Sequence, residues 1–222
     1  MGFAPLPATA AWQHQEARTG FEVAYFHLLG DWCRIEGWTT AIEDGKTWAV
    51  EYAIDLDGTG ATRSAGLRGR SAGGLSSALL EADGAGRWQV DGVPAPYLDG
   101  CLDVDLESSA MTNALPVRRM RLAPGAGAAA PAAYVRAVGL AVEQLEQTYL
   151  RAPDEGTRQR YDYAAPAFKF TCRLSYDESG LVLDYPGIAV RAGLSSRRPE
   201  LPDHSPCLFV SPGGITVSTS VT

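Results

Sequence analysis

Several familiar signals are missing from this chain, and each absence removes a class of function. Histidine occurs three times, at His14, His27 and His204, with no His-x-x-x-His spacing, and no Cys-x-x-Cys pair accompanies it. A metal site is therefore not expected. The four cysteines, Cys33, Cys101, Cys172 and Cys207, are widely scattered and read as thiols, not as a disulfide framework. No apolar run is long enough to span a bilayer, so stable membrane insertion is not expected. The N-terminus lacks the basic and apolar regions of a secretory signal, which makes the cytoplasm the expected location. There is no Gly-x-Ser-x-Gly elbow and no phosphate loop ending in Gly-Lys-Ser/Thr. No cofactor and no catalytic residue is assigned. Positive charge is also in short supply: 19 Lys and Arg against 26 Asp and Glu give a net charge of −7, which argues against a nucleic-acid partner.

What is present is a soluble composition, with 45% hydrophobic and 20% charged residues over 222 positions, enough for a sizeable core. Met1 to Arg18 carries Pro and Ala without a clear period and reads as a loosely packed leader. From Phe21 onward, apolar runs recur at short spacing and are separated by glycine turns. Glu43 to Gly45, Asp57 to Gly60, Asp83 to Gly86 and Asp91-Gly92 are turn signals. Thr47 to Asp55 alternates strictly, with Trp48, Val50, Tyr52 and Ile54 on one face. The pattern predicts an all-β protein. Residues 123–131 read as a Gly/Ala/Pro loop. Val142 to Arg151 fits a helix and a strand equally poorly, and its β neighbourhood favours a strand. Strands and Asp/Gly turns return between Thr157 and Arg191, a repeat of architecture without repeat of sequence. Residues 195–222 read as a Pro-rich flexible tail.

The central stretch from Tyr97 to Leu122 carries the densest alternation of apolar and charged residues. Cys101 to Leu106 reads as a half-buried strand with Leu102, Val104 and Leu106 on one side and Asp103 and Asp105 on the other. Glu107 to Asn113 reads as a loop, and Leu115 to Leu122 as a second strand bearing Arg118, Arg119 and Arg121. Asp103 and Asp105 lie roughly 7 Å apart along such a strand. They suit sugar hydroxyls or a bound cation, or acid–base chemistry in a hydrolase or isomerase if one carboxyl has a raised pKa. The plainer reading, which leads, is a cross-strand ladder of acids against arginines. Thr112 and Asn113 suit either a cavity mouth or local turn chemistry. Trp32, Trp38, Trp48, Tyr52, Trp88, Tyr161, Tyr163, Phe168 and Phe170 read first as filled core, and second as the lining of an acyl cavity.

The stretch Tyr97 to Leu106, followed by Thr112 to Arg119, resembles the signature of the bacterial glycolipid-binding family. Phe21 to Phe26, Gly45 to Tyr52, Gly86 to Gly92, Leu145 to Tyr149 and Gly180 to Gly187 are also similar to that family. The resemblance runs from about Trp12 to Gly193. It implies one β domain over 12–194, with halves of about 12–122 and 132–194. The implied fold is a large antiparallel sheet curled into a partly open barrel, like the lipoprotein carriers LolA and LolB, with few short helices. It implies a binding protein for a glycolipid or other acyl ligand, with Asp103, Asp105, Thr112, Asn113, Arg118 and Arg119 as head-group contacts. The alternatives are the carboxylate-pair enzyme and a protein-interaction module without a small ligand. Oligomeric state is left open.

Overall fold

The computed structural model describes residues 3–16 and 18–193. The expected Pro-rich tail, with His204 and Cys207, lies outside the described residues. The first arm of the fold is a meander of eight strands: β1 (Thr9–His14), β2 (Thr19–Leu29), β3 (Trp32–Glu43), β4 (Lys46–Leu56), β5 (Thr62–Ser71), β6 (Gly74–Ala82), β7 (Trp88–Val90) and β8 (Val93–Pro94). A central segment follows, containing β9 (Asp103–Leu106) and a short α-helix, α1 (Ala114–Met120). The remaining strands are β10 (Gly127–Ala129), β11 (Ala132–Val135), β12 (Val142–Leu145), β13 (Thr148–Glu155), β14 (Arg158–Ala165), β15 (Phe170–Tyr176), β16 (Val182–Tyr185) and β17 (Ala189–Arg191).

Fourteen strands form one antiparallel sheet in the order β10-β13-β14-β15-β16-β17-β1-β2-β3-β4-β5-β6-β7-β8. The sheet is not closed: β10 and β8 are its edges. Strands β12, β11 and β9 form a small second sheet, in which β9 runs parallel to β11. The mostly β architecture expected from the turn spacing, and the large antiparallel sheet that the family resemblance implies, are what the chain adopts.

The turns carry much of this register. Asp44 and Gly45 both have positive φ, at 49° and 72°, the pair that a two-residue type I′ hairpin needs. A second device appears three times. In Asp57-Gly-Thr-Gly60, Asp83-Gly-Ala-Gly86 and Asp177-Glu-Ser-Gly180 the aspartate carboxylate accepts the N–H groups two and four residues on. Each closing glycine has φ near 80–90°, at 87°, 94° and 78°. The aspartate's own side chain thus folds the chain back before the next strand begins.

The N-terminal leader is not loose. β1 sits in the middle of the large sheet, paired with β17 on one side and β2 on the other. The short alternation of Ala10, Trp12 and His14, all buried, is the signal that its Pro/Ala-rich approach masked. Trp12 is fully buried and its indole N–H donates to the Val182 carbonyl at 2.8 Å, tying the two arms together.

The sheet wraps around residues 101–120. Val104 N–H donates to Thr62 Oγ1 at 3.1 Å, and Thr39 Oγ1 donates to the Ser108 carbonyl at 2.8 Å. Glu22, fully buried on β2, accepts from the Ser109 hydroxyl, from Ala110 N–H at 2.8 Å and from Tyr52 Oη at 2.8 Å. From the second arm, Tyr149 Oη donates to Asn113 Oδ1 at 3.0 Å and Tyr176 Oη to the Asn113 carbonyl at 3.2 Å. Both arms therefore hold the same internal segment by buried polar contacts, each of which would be costly to leave half made. Gly37 makes one of them possible. A Cβ there would lie 2.1 Å from Tyr52 Cζ, so the bare glycine lets the Tyr52 ring lie across β3 and reach Glu22.

Two apolar clusters flank the segment. One joins the first arm to residues such as Leu98, Val104, Leu106 and Met111. The other is rich in tyrosine, with Tyr149, Tyr161, Tyr163 and Tyr176 around Val117 and Leu174. Of the nine aromatics expected in the core, Trp48, Tyr52, Trp88, Tyr161 and Tyr163 are buried. Phe170 is partly buried against the second cluster, and Trp32, Trp38 and Phe168 are instead on the surface.

Candidate functional site

The expected acidic strand beside a basic strand does not form. β9 is buried along its whole length and pairs with β11, so it has no polar outer face. The arginine-bearing stretch is α1, entered through a 3-10 turn over Met111–Asn113. Pro116 falls in the first turn of this helix, where a missing N–H is tolerated. The helix ends at Arg121, whose left-handed φ of 48° returns its N–H to the Val117 carbonyl. The apparent period of two at Leu115 and Val117 was misleading, because Ala114, Leu115, Pro116 and Val117 are all buried together.

The two aspartates, two residues apart, have different fates. Asp103 is buried and matched by Arg119 from α1, with Arg119 Nε 3.0 Å from Oδ1 and Nη2 2.5 Å from Oδ2. Both of its oxygens are occupied. Asp105 meets no arginine among the described residues. Its Oδ1 accepts from Thr112 Oγ1 at 2.8 Å, and Thr112 Oγ1 in turn accepts the Leu106 N–H at 3.2 Å. Burial pushes the Asp105 carboxyl up to about 6, aided by the nearby charges of Asp103 and Glu107 and opposed by the Thr112 hydrogen bond.

Asp105 opens on a cavity of about 270 Å³. Ser109 and Asn113 share its wall with Asp105. Tyr163, Phe168, Phe170 and Tyr185 supply aromatic faces from the second arm, and Arg18 and Arg136 supply charge. Arg136 is accounted for. It contacts Glu107 Oε1 at 3.1 Å and Glu143 Oε1 at 2.5 Å, and it stacks between Tyr134 and Phe168 with guanidinium-to-ring distances of 5.2 and 5.3 Å. Arg18 takes part in no ion pair among the described residues. It lies 5.4 Å over the Trp48 ring. Burial, with the Arg18 charge nearby, pulls the neighbouring His14 imidazole down to about 4.

A second cavity of about 150 Å³ lies on the other side of the 3-10 turn and α1. Phe26, Ile35, Leu56, Met111 and Leu115 make it apolar, Cys33 lies in its wall, and Arg118 and Arg121 belong to its lining. Of the six residues singled out in the sequence, Asp105 and Asn113 line the first cavity and Thr112 positions Asp105. Arg118 lines the second cavity, and Asp103 and Arg119 neutralise each other. Sequence reasoning missed Arg18, Tyr185 and Arg136, and reached Ser109 only as part of the loop that carries Thr112 and Asn113. Only Tyr185, in the motif preceding Pro186-Gly187, carried a local signal. Arg18 was hidden in what read as a leader. Among the described residues, no three His, Cys, Asp or Glu side chains gather as a metal cage.

Comparisons with known proteins bear on this geometry. A family model described as "Putative glycolipid-binding" matches residues 9–191. The crystal structure of a DUF1089 family protein from Pseudomonas aeruginosa is similar at 32% identity with a TM-score of 0.66, covering 77% of this chain and 92% of that one. A beta-barrel-like protein of the DUF1849 domain from Brucella abortus matches at 11% identity and a TM-score of 0.48, covering 86% and 96%. No curated protein matches the chain.

Proposed function

The chain belongs to the family of that matching model, and from this premise we propose that it binds a small amphipathic ligand of glycolipid type, with the sugar head in the first cavity. One observation carries the reading: Asp105, held by Thr112 but matched to no cation, opens together with Asn113 on a cavity walled by aromatic rings. Aromatic faces and a few convergent polar groups are what a sugar ring requires, the rings covering its C–H face and the carboxylate accepting from its hydroxyls. Phe168, exposed at the rim, meets the apolar part of the ligand. The second cavity accepts an acyl chain, with Arg118 at its polar end.

Native mass spectrometry of the full chain after exposure to a mixed glycolipid extract tests this. Retained adducts that weaken about tenfold in Asp105→Asn, a loss of the size expected for one hydrogen bond to a charged group, support the reading. Absence of any retained amphiphile in the wild type overturns it.

A further inference from the structure

We infer that the head group taken by the first cavity is anionic, a carboxylated or phosphorylated sugar, and that Arg18 is the residue that selects it. This rests on the head-group reading of that cavity and adds a charge to it. Arg18 is 8% exposed, yet among the described residues its Nε and Nη1 have no hydrogen-bond partner. A buried guanidinium is costly to hold without a partner, and such groups are nearly always paired. None of the acids around the same cavity forms an ion pair with Arg18 among the described residues. Glu107 is held by Arg136 and by the Ala137 N–H at 2.8 Å. Glu43 accepts from the Trp48 indole at 3.2 Å. Asp105 accepts from Thr112. The guanidinium carbon lies 5.4 Å from the centre of the Trp48 ring, a cation–π contact that holds the side chain in place.

His14 stands on the same tryptophan, with ring centroids 6.3 Å apart, and its Nδ1 is a further buried atom without a partner among the described residues. Of the two residues on this ring, Arg18 lines the cavity, whose other polar groups, Asp105 and Asn113, suit hydroxyls. A planar guanidinium matches a carboxylate or phosphate by two parallel N–H···O bonds. An acidic sugar supplies the oxyanion and the hydroxyls in one molecule.

The full chain is titrated by protein-observed NMR with glucose, glucuronate, glucose 6-phosphate and inorganic phosphate. In the wild type, at least one acidic sugar binds about tenfold or more tightly than glucose. Arg18→Met keeps the side chain's length without its charge. It erases that preference, so that acidic and neutral sugars bind this variant alike, and leaves the thermal midpoint the same or higher, because an unpaired buried charge has gone. Arg18→Lys keeps part of the preference. Equal binding of acidic and neutral sugars, or a preference that survives Arg18→Met, overturns the inference while the sugar-head reading stands. A large fall in the midpoint of Arg18→Met overturns it too, since Arg18 would then be structural. Inorganic phosphate binding as tightly as glucose 6-phosphate marks a bare anion site and removes the sugar from the claim. Failure of all four probes overturns the head-group reading and this inference together.

Discussion

The two cavities are built by one short piece of chain and have opposite character. Residues 109–115 give Ser109 and Asn113 to the first cavity and Met111, Ala114 and Leu115 to the second. A tight 3-10 turn running into a helix spreads neighbouring residues around an axis, so adjacent positions face different walls. The same division runs through the aspartates. Asp103 has a bidentate arginine, whereas Asp105 has one hydroxyl. One carboxylate has been committed to holding α1 against β9, and the other is left available to a cavity. The contrast teaches that charge density in the central stretch serves two purposes, separable residue by residue.

The most forceful way to break the contrast is to remove the committed carboxylate. Asp103→Asn strips a buried guanidinium of its counter-charge, and loss of one partner of a buried pair costs about 3–5 kcal/mol. Asp105→Asn removes a charge that burial disfavours, and its cost at neutral pH is within about 1 kcal/mol, with stabilisation the favoured sign. Urea denaturation of the two variants measures both. Similar losses would mean that the two aspartates share one structural role.

Much of the fold was legible because its first arm is a two-sided sheet. In β4 the alternation of Trp48, Val50, Tyr52 and Ile54 matches the buried positions residue for residue, and the Asp-to-Gly turns fix where strands end. The central segment was not legible for the opposite reason. Where every side chain is buried, period two carries no information, and β9 and α1 both read as strands. The site was half legible. Asp105, Thr112 and Asn113 lie close in sequence. Arg18, by contrast, reaches the cavity through the β1–β2 connection, and no local pattern relates residue 18 to residue 105. Asp103 and Arg119 fit the expectation that acids and arginines compensate one another, but through a helix reaching a strand, not across a ladder.

A pH series sharpens the comparison next. Asp105 has a folded pKa of about 6 against an ordinary 3.8, so the native state binds the extra proton between those values. Its contribution to stability is greatest in acid and falls as pH rises through 4 to 6, by roughly 3 kcal/mol. His14 has a folded value of about 4 against 6.5. The unfolded state binds that proton, so its contribution rises between pH 4 and 6.5 by a similar amount, roughly 3 kcal/mol. The two slopes oppose one another over pH 4–6. Relative to the wild type, Asp105→Asn gains a rising slope and His14→Gln gains a falling one, measured as urea midpoints across that range. Parallel curves for all three proteins would refute both assignments.

Gly37→Ala probes the support behind the first cavity. The new methyl would occupy the Tyr52 ring position, so the ring must move and its hydroxyl leave Glu22. Overpacking of this kind costs roughly 1–3 kcal/mol. A crystal structure or NOE pattern should show a displaced Tyr52 and a loosened Ser109–Ala110 segment. An unmoved Tyr52 would mean that β3 shifts instead and that Glu22 keeps its clamp.

The smallest effect bears on whether the cavities are separate sites. Cys33 is half-buried in the wall of the second cavity, its thiol pushed up chiefly by burial. It reacts slowly with a small maleimide, and peptide mass spectrometry follows its modification apart from that of the other cysteines. If the second cavity takes acyl chains, decanoate at twice its dissociation constant slows labelling of Cys33 about threefold, because one third of the molecules remain open by mass action. Glucuronate, confined to the first cavity, leaves the rate unchanged. Protection by glucuronate as strong as that by decanoate would mean that the turn and α1 transmit occupancy from one side to the other. The polar and apolar walls would then belong to one extended site, with residues 109–115 as its movable partition.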